Sequence, residues 1–155
     1  MNIGEALKET CVIADLKGET KEKVLTELVS SLKEMSLIEN VEEAVKVIFD
    51  REKLGSTGIG DGVAIPHGKM KKLQNVICAF GRSTKGIEFG AVDGKPVHMF
   101  FLLLAPEESA GLHLKMLSRI SRIVRDASFR KKLMEEVHAS QVFKDIVEED
   151  KKFSG

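Results

Sequence analysis

The chain has 155 residues, 43% of them hydrophobic and 31% charged, with no low-complexity run. Its formal net charge is zero, so it lacks the basic surplus of a nucleic-acid binder. The longest strongly apolar run, Met99 to Ala105, falls far short of the roughly 20 residues of a membrane span. Residues 1–10 are mixed polar and read as no secretory signal. Cys11 and Cys78 sit inside apolar stretches and read as buried thiols, with no Cys-x-x-Cys or His–Cys metal spacing. A soluble, cytoplasmic protein with one real core is expected.

In chain order, a β-rich piece from Cys11 to Leu16 is ended by Lys17 and Gly18. Residues 20–35 place Val24, Leu25, Leu28, Val29, Leu32 and Met35 on one stripe at helical period. Asn40 with Glu43 reads as a capping box for a second helix, whose apolar face is Ala44, Val47 and Ile48. That helix runs toward Arg51 and ends before Gly55. The segment GSTGIGDG, with glycines at 55, 58, 60 and 62, reads as a loop with tight turns. VAIPH then gives a short extended piece ended by Pro66, which also biases Ile65 toward β geometry.

Asn75 to Gly81 reads as a buried strand, and Ile87 to Phe89 as a short edge strand before an Asp93–Gly94 turn. Val97 to Ala105 is the most apolar strand and is expected at the sheet centre. Pro106 and Ser109 mark a break and a helix start. Leu112, Met116, Leu117, Ile120, Ile123 and Val124 form the inward stripe of that helix. Further helices are expected from Phe129 to Val137 and from a Ser140 N-cap through Val147. The pattern is an α/β layer architecture with helices covering a sheet.

Standard phosphate and hydrolase signatures are absent. Gly68–Lys69 is followed by Met, so there is no Walker A loop, and Gly58–Gly60 does not continue into a dinucleotide fingerprint. No Gly-x-Ser-x-Gly elbow occurs. Lys69, Lys71 and Lys72 form a small basic cluster that reads as a solvated face. Of the four histidines, His98 lies in the strand VHMFF and reads as a satisfied structural residue. His138 is expected on the surface near a helix C-terminus, where the dipole favours a cation. His113 borders the apolar face of its helix.

His67 follows Pro66 and precedes Gly68, at a strand end beside the glycine loop. That placement exposes a side chain on rigid backbone. A neutral imidazole is a competent nucleophile near neutral pH. It can accept a phosphoryl group on a ring nitrogen and release it, a transfer that needs positioning and charge stabilisation. Arg51 could offer a planar fork of donors and His113 a further one. Spacing alone does not bring these three groups together. A metal site from His67, His98 and His113 has no recognisable ligand spacing.

The stretch REKLGSTGIGDGVAIPHGK, Arg51 to Lys69, resembles the phosphorylation-site signature of the fructose/mannitol-type EIIA domains (type-2 EIIA) of the phosphoenolpyruvate-dependent phosphotransferase system. That family includes nitrogen-related regulatory EIIA proteins. The resemblance continues through Asp93–Val97 and Phe101–Glu108 and resumes from His113 to Asp126, so it covers nearly the whole chain in order. It implies a domain over residues 1–150 with a short tail at 151–155, and a mixed parallel/antiparallel sheet of about five strands flanked by helices. It implies that His67 is phosphorylated on Nε2 and that His113 and Arg51 line the same pocket. The implied donor is the histidine phosphocarrier HPr or a nitrogen-branch relative. The implied acceptor is a cysteine of an EIIB domain that serves a membrane EIIC. No cofactor, metal or nucleic acid is implied. Two roles remain open: a component of sugar transport, or a regulator whose phosphorylation state controls binding to target proteins.

Overall fold

In the computed structural model, which describes residues 1–153, the order of elements is α1 (Ile3–Ala6), β1 (Leu7–Ile13), α2 (Lys21–Glu34), α3 (Val41–Glu52), β2 (Gly58–Gly60), β3 (Val63–Ala64), β4 (His67–Met70), β5 (Ile77–Ile87), β6 (Val97–Pro106), α4 (Ala110–Ile123), α5 (Ala127–Glu135) and α6 (Ala139–Lys151). The strands form one mixed sheet in the order β1-β5-β6-β3-β2, with β4 also pairing β6. Strand β5 runs antiparallel to β6, whereas β1 runs parallel to β5. Strands β3 and β4 lie in tandem along the other edge of β6, both parallel to it.

β6 is the centre the sequence implies. All of Met99–Ala105 is buried, which is why its sequence is continuously apolar rather than alternating. Phe101 meets Phe80 edge-on at 4.8 Å, and Phe100 meets Phe89 at 5.5 Å. Two groups of helices cover the sheet. α2 and α3 pack on each other, α2 on β1 and β5 and α3 on β4; α1, α4 and α6 form the other group, with α5 against α6. Both cysteines are buried and unpaired, and burial pushes the Cys78 thiol up to about 12.

Helix starts follow side-chain chemistry. Thr20 accepts from the Lys23 amide, Asn40 from the Glu43 amide, and Asp126 from the Ser128 and Phe129 amides. Each satisfies a first-turn N–H that has no partner within the helix.

Several boundaries differ from expectation. β1 spans Leu7–Ile13, not Cys11–Leu16, and a four-residue α1 capped by Asn2 precedes it. Exposed Lys8, Glu9 and Thr10 break the apolar pattern that marks a strand. Of the edge strand expected at Ile87–Phe89 only Ile87 is strand, as the last residue of a long β5 that continues through the polar residues Arg82–Gly86; Glu88 and Phe89 lie beyond it. Arg82 is buried there because its guanidinium donates to the carbonyls of Ala14, Leu133 and Glu136. Part of the glycine-rich segment is not loop. β2 and β3 form a hairpin across Asp61–Gly62, whose φ values of 57° and 77° suit a turn with positive φ at both positions. α5 begins at Ala127, and α6 begins at Ala139 with His138, not Ser140, as N-cap. His138 is exposed as expected but precedes a helix N-terminus, where the dipole does not favour a cation. Met35 and Leu112, placed on inward stripes by period, are 41% and 42% exposed. Within the expected tail, Phe153 lies under Arg122, and Ser154 and Gly155 fall outside the described residues.

Gly68 shows why α3 reaches the sheet edge where it does. A Cβ at that position would stand 2.4 Å from Val47 Cγ1 of α3. Gly68→Ala is expected to lose about 1–3 kcal/mol through overpacking. Adding Val47→Ala should recover much of the loss, as read from urea denaturation of the two single variants and the double. Equal losses in Gly68→Ala with and without Val47→Ala would mean that this contact does not limit the packing.

Candidate active site

The break between β3 and β4 makes the site. Pro66 has no N–H for the ladder, so pairing with β6 stops at Ala64 and resumes at His67. Ile65 lies outside both strands, and its carbonyl accepts a hydrogen bond from His67 Nδ1 at 2.8 Å. With Nδ1 as donor, the neutral ring keeps its free lone pair on Nε2.

His113, on the first full turn of α4, stands beside this ring. The ring centroids are 5.2 Å apart and the planes cross at 76°. His113 is 6% exposed, and its buried Nε2 has no hydrogen-bond partner. Arg51 comes from the last turn of α3, where Nη1 donates to the Gly55 carbonyl at 2.9 Å. His67, His113 and Arg51 therefore line one cleft of about 530 Å³, together with Lys69, Asp50 and the apolar Leu54 and Leu114. The cleft lies at the free edge of β4, where α3 from one helix group faces α4 from the other.

The electrostatics keep both rings neutral. Burial lowers the pKa of His67 and the nearby Arg51 charge lowers it further, against the opposing pull of the Ile65 hydrogen bond and Glu52. Burial pushes His113 down to about 4, with His67 and Lys69 acting in the same direction. A neutral His67 is the nucleophilic form. In its Nε2–H tautomer a neutral His113 carries a buried donor without a protein partner.

The sequence signals left part of this unread. By sequence Lys69 reads as solvated face with Lys71 and Lys72, but it alone of the three lines the cleft. Its signal was strand parity with His67, since residues two apart share a face. Glu52, next to Arg51, is a buried carboxylate that accepts from the Thr57 amide and hydroxyl and pairs with Lys21 at 2.8 Å. Lys21 also sits 4.1 Å over the Phe89 ring. This network ties the end of α3 to the glycine-rich segment and to α2. His98 does not enter the cleft; its Nδ1 donates to the Ser83 carbonyl at 2.8 Å. Among the described residues no group of three His, Cys, Asp or Glu is arranged to hold a metal ion.

The cleft thus sets two histidines together at the edge of a mixed α/β sheet. The sequence profile of the family described as "Phosphoenolpyruvate-dependent sugar phosphotransferase system, EIIA 2" matches residues 5–149. The chain belongs to that family. It is 39% identical over 143 residues to a nitrogen regulatory protein of Bradyrhizobium diazoefficiens, covering 92% of this chain and 93% of that one. It is 34% identical over 151 residues to the fructose-specific EIIABC component of Bacillus subtilis, covering 97% of this chain and 24% of that much longer one. The crystal structure of the nitrogen regulatory protein IIA-Ntr from Neisseria meningitidis matches with a TM-score of 0.87 and 36% identity, covering 93% of this chain and 98% of that one. No helix among the described residues is long and apolar enough to cross a membrane.

The depressed His113 value predicts a pH signature. The unfolded chain takes up the proton near pH ~6.5, the folded one near 4. Stability contributed by the neutral ring is therefore full above pH ~6.5 and is lost as pH falls toward 4. The stability difference between wild type and His113→Asn should shrink across that window in urea titrations. A difference that is constant with pH would mean that His113 titrates normally.

Proposed function

We propose that this protein is a histidine phosphocarrier of the phosphotransferase system, receiving a phosphoryl group on His67 Nε2 from a phosphorylated HPr-type protein and passing it to a cysteine of an EIIB domain. The observation that carries the reading is the His67 Nδ1–Ile65 carbonyl bond, which leaves Nε2 as the nucleophile on a ring beside that of His113, whose own Nε2 is unpartnered.

In the acceptance step the Nε2 lone pair forms a bond to phosphorus, and the donor's N–P bond breaks with its electron pair returning to the donor imidazole. Nδ1 keeps its proton, and the Ile65 carbonyl stabilises the positive charge that develops on the ring. In the delivery step a cysteine thiolate forms the S–P bond and the Nε2–P bond breaks, restoring neutral His67. His113 donates to a phosphoryl oxygen, and the guanidinium of Arg51 spreads its donors over the others. The donor is already activated, so neither metal nor nucleotide is required. The site works as well in the cytoplasm for sugar uptake, through an EIIB serving a membrane EIIC, as for regulation.

The regulatory reading has its own support. Two of the relatives that match over nearly their whole length, from Bradyrhizobium and Neisseria, are nitrogen regulatory proteins. In that case the phosphorylation state of His67 sets the affinity for target proteins. The fructose-specific relative supports the transport reading, with a fructose/mannitol-type EIIB as acceptor.

Incubation with phosphoenolpyruvate, the general transfer enzyme and HPr should label His67 with acid-labile phosphate, and His67→Ala should remain unlabelled. His113→Ala should still label but deliver to EIIB roughly 10- to 1,000-fold more slowly, the range for loss of a transition-state donor. Arg51→Lys keeps the charge but loses the fork and should slow transfer in both directions. Full labelling of His67→Ala would overturn the assignment. Rapid delivery to a fructose- or mannitol-type EIIB selects the transport role; a stable carrier that binds targets in only one phosphorylation state selects the regulatory one.

A further inference from the structure

Resting on the phosphocarrier reading, we infer that Lys69 is the residue that holds the phosphoryl group in place on His67 and sets how far the carrier is charged at equilibrium. His67 and Lys69 are two apart on β4, paired with Leu103 and Ala105 of β6. Their side chains leave the same face of the strand, and both line the cleft. Two strand residues span about 7 Å, a gap the four-carbon stem of a lysine can close.

The carboxylate of the cleft is already paired. Asp50 is held by Lys46 at 2.9 Å and by Lys53 at 3.8 Å. Arg51 spends Nη1 on the Gly55 carbonyl. Lys69 has no ion-pair or hydrogen-bond partner among the described residues. Besides Arg51, which keeps its remaining guanidinium donors, the cleft thus carries a cation with no bonded partner and one buried imidazole nitrogen without a partner, that of His113. His67 lies between them in the fold, two residues before Lys69 on β4 and ring to ring with His113. A dianion bonded to His67 is the ligand that satisfies the two together.

The role differs from that proposed for Arg51. An exposed ammonium on a flexible stem engages the phosphoryl group once it is bonded to His67, and so acts on the charged carrier more than on the transfer barrier. Lys69 should therefore move the equilibrium between phospho-HPr and phospho-carrier, and the ionisation of the phosphoryl group itself. A neighbouring cation favours the dianion, so its removal raises the second phosphoryl pKa.

The experiment equilibrates purified phospho-HPr with wild type, Lys69→Gln and Lys69→Arg and quantifies both phospho-proteins. The phosphohistidine of each variant is then titrated by 31P NMR. Lys69→Gln should shift the equilibrium toward HPr by about fivefold to tenfold, the scale of one charge-assisted contact at a partly exposed site. Its phosphoryl pKa should rise, while Lys69→Arg stays within about twofold of wild type on the same scale. A merely structural lysine would leave the phosphoryl pKa unmoved. If wild type labels on His67 but Lys69→Gln changes neither equilibrium nor pKa, Lys69 has no such role. If wild type takes no label on His67, the phosphocarrier reading fails and this inference with it.

Discussion

The site depends on how one strand shares its edge. β6 is buried along nearly its whole length and has β5 on one side. Its other side is divided between β3 and β4, with Ile65 and Pro66 between them. Proline cannot donate to a ladder, so the division follows from a single residue. The interruption turns the Ile65 carbonyl toward His67 Nδ1. Pairing resumes at once, and the Leu103 amide donates to the Pro66 carbonyl. His67 is thus anchored at its backbone by the core strand and at its ring by the residue two before it. Only Nε2 is left for chemistry.

Two helix layers bring the other groups to that nitrogen. α3 can cross β4 closely because residue 68 has no Cβ, and this puts the last turn of α3, with Arg51, beside the cleft. Glu52 then fixes the helix end. A buried carboxylate is tolerable only when paired and hydrogen-bonded, and Lys21 and Thr57 do both. α4 follows β6 after the Pro106–Ser109 turn and carries His113 back over the sheet edge. The geometry of the cleft is therefore assembled from packing contacts rather than from contiguous sequence.

What was legible followed from strong local signals. The apolar run of β6, the stripe of α2 and the Asn40 cap all stand where the sequence implies. The strand-end placement of His67 was legible from Pro66 and Gly68. The buried polar residues were not. Arg82 looks like the end of a strand until three carbonyls from distant segments surround it. α4 shows the same limit on a small scale. Its buried stripe is His113, Met116, Ile120 and Ile123; hydropathy finds the last three but prefers Leu112 to His113 at the first turn. The meeting of His67, His113 and Arg51 was implied by family resemblance, not by periodicity, because contacts between a strand, a helix end and a helix start leave no local pattern.

The neutrality of His113 bears on how a carrier differs from a trap. A buried nitrogen without a partner costs about 1–3 kcal/mol, and on the proposed reading that deficit is removed when a phosphoryl oxygen arrives. Were the ring cationic, it would add a full ion pair in a partly apolar cleft, a far stronger hold. Burial, His67 and Lys69 together keep it uncharged near pH 7, so it contributes a hydrogen bond instead. Each ~1.4 kcal/mol of extra hold would bias the transfer equilibrium tenfold. A site that must accept from one protein and deliver to another is served by moderate contacts that can be released. On that reading the buried histidine supplies direction, and the exposed lysine supplies charge that water can readily replace.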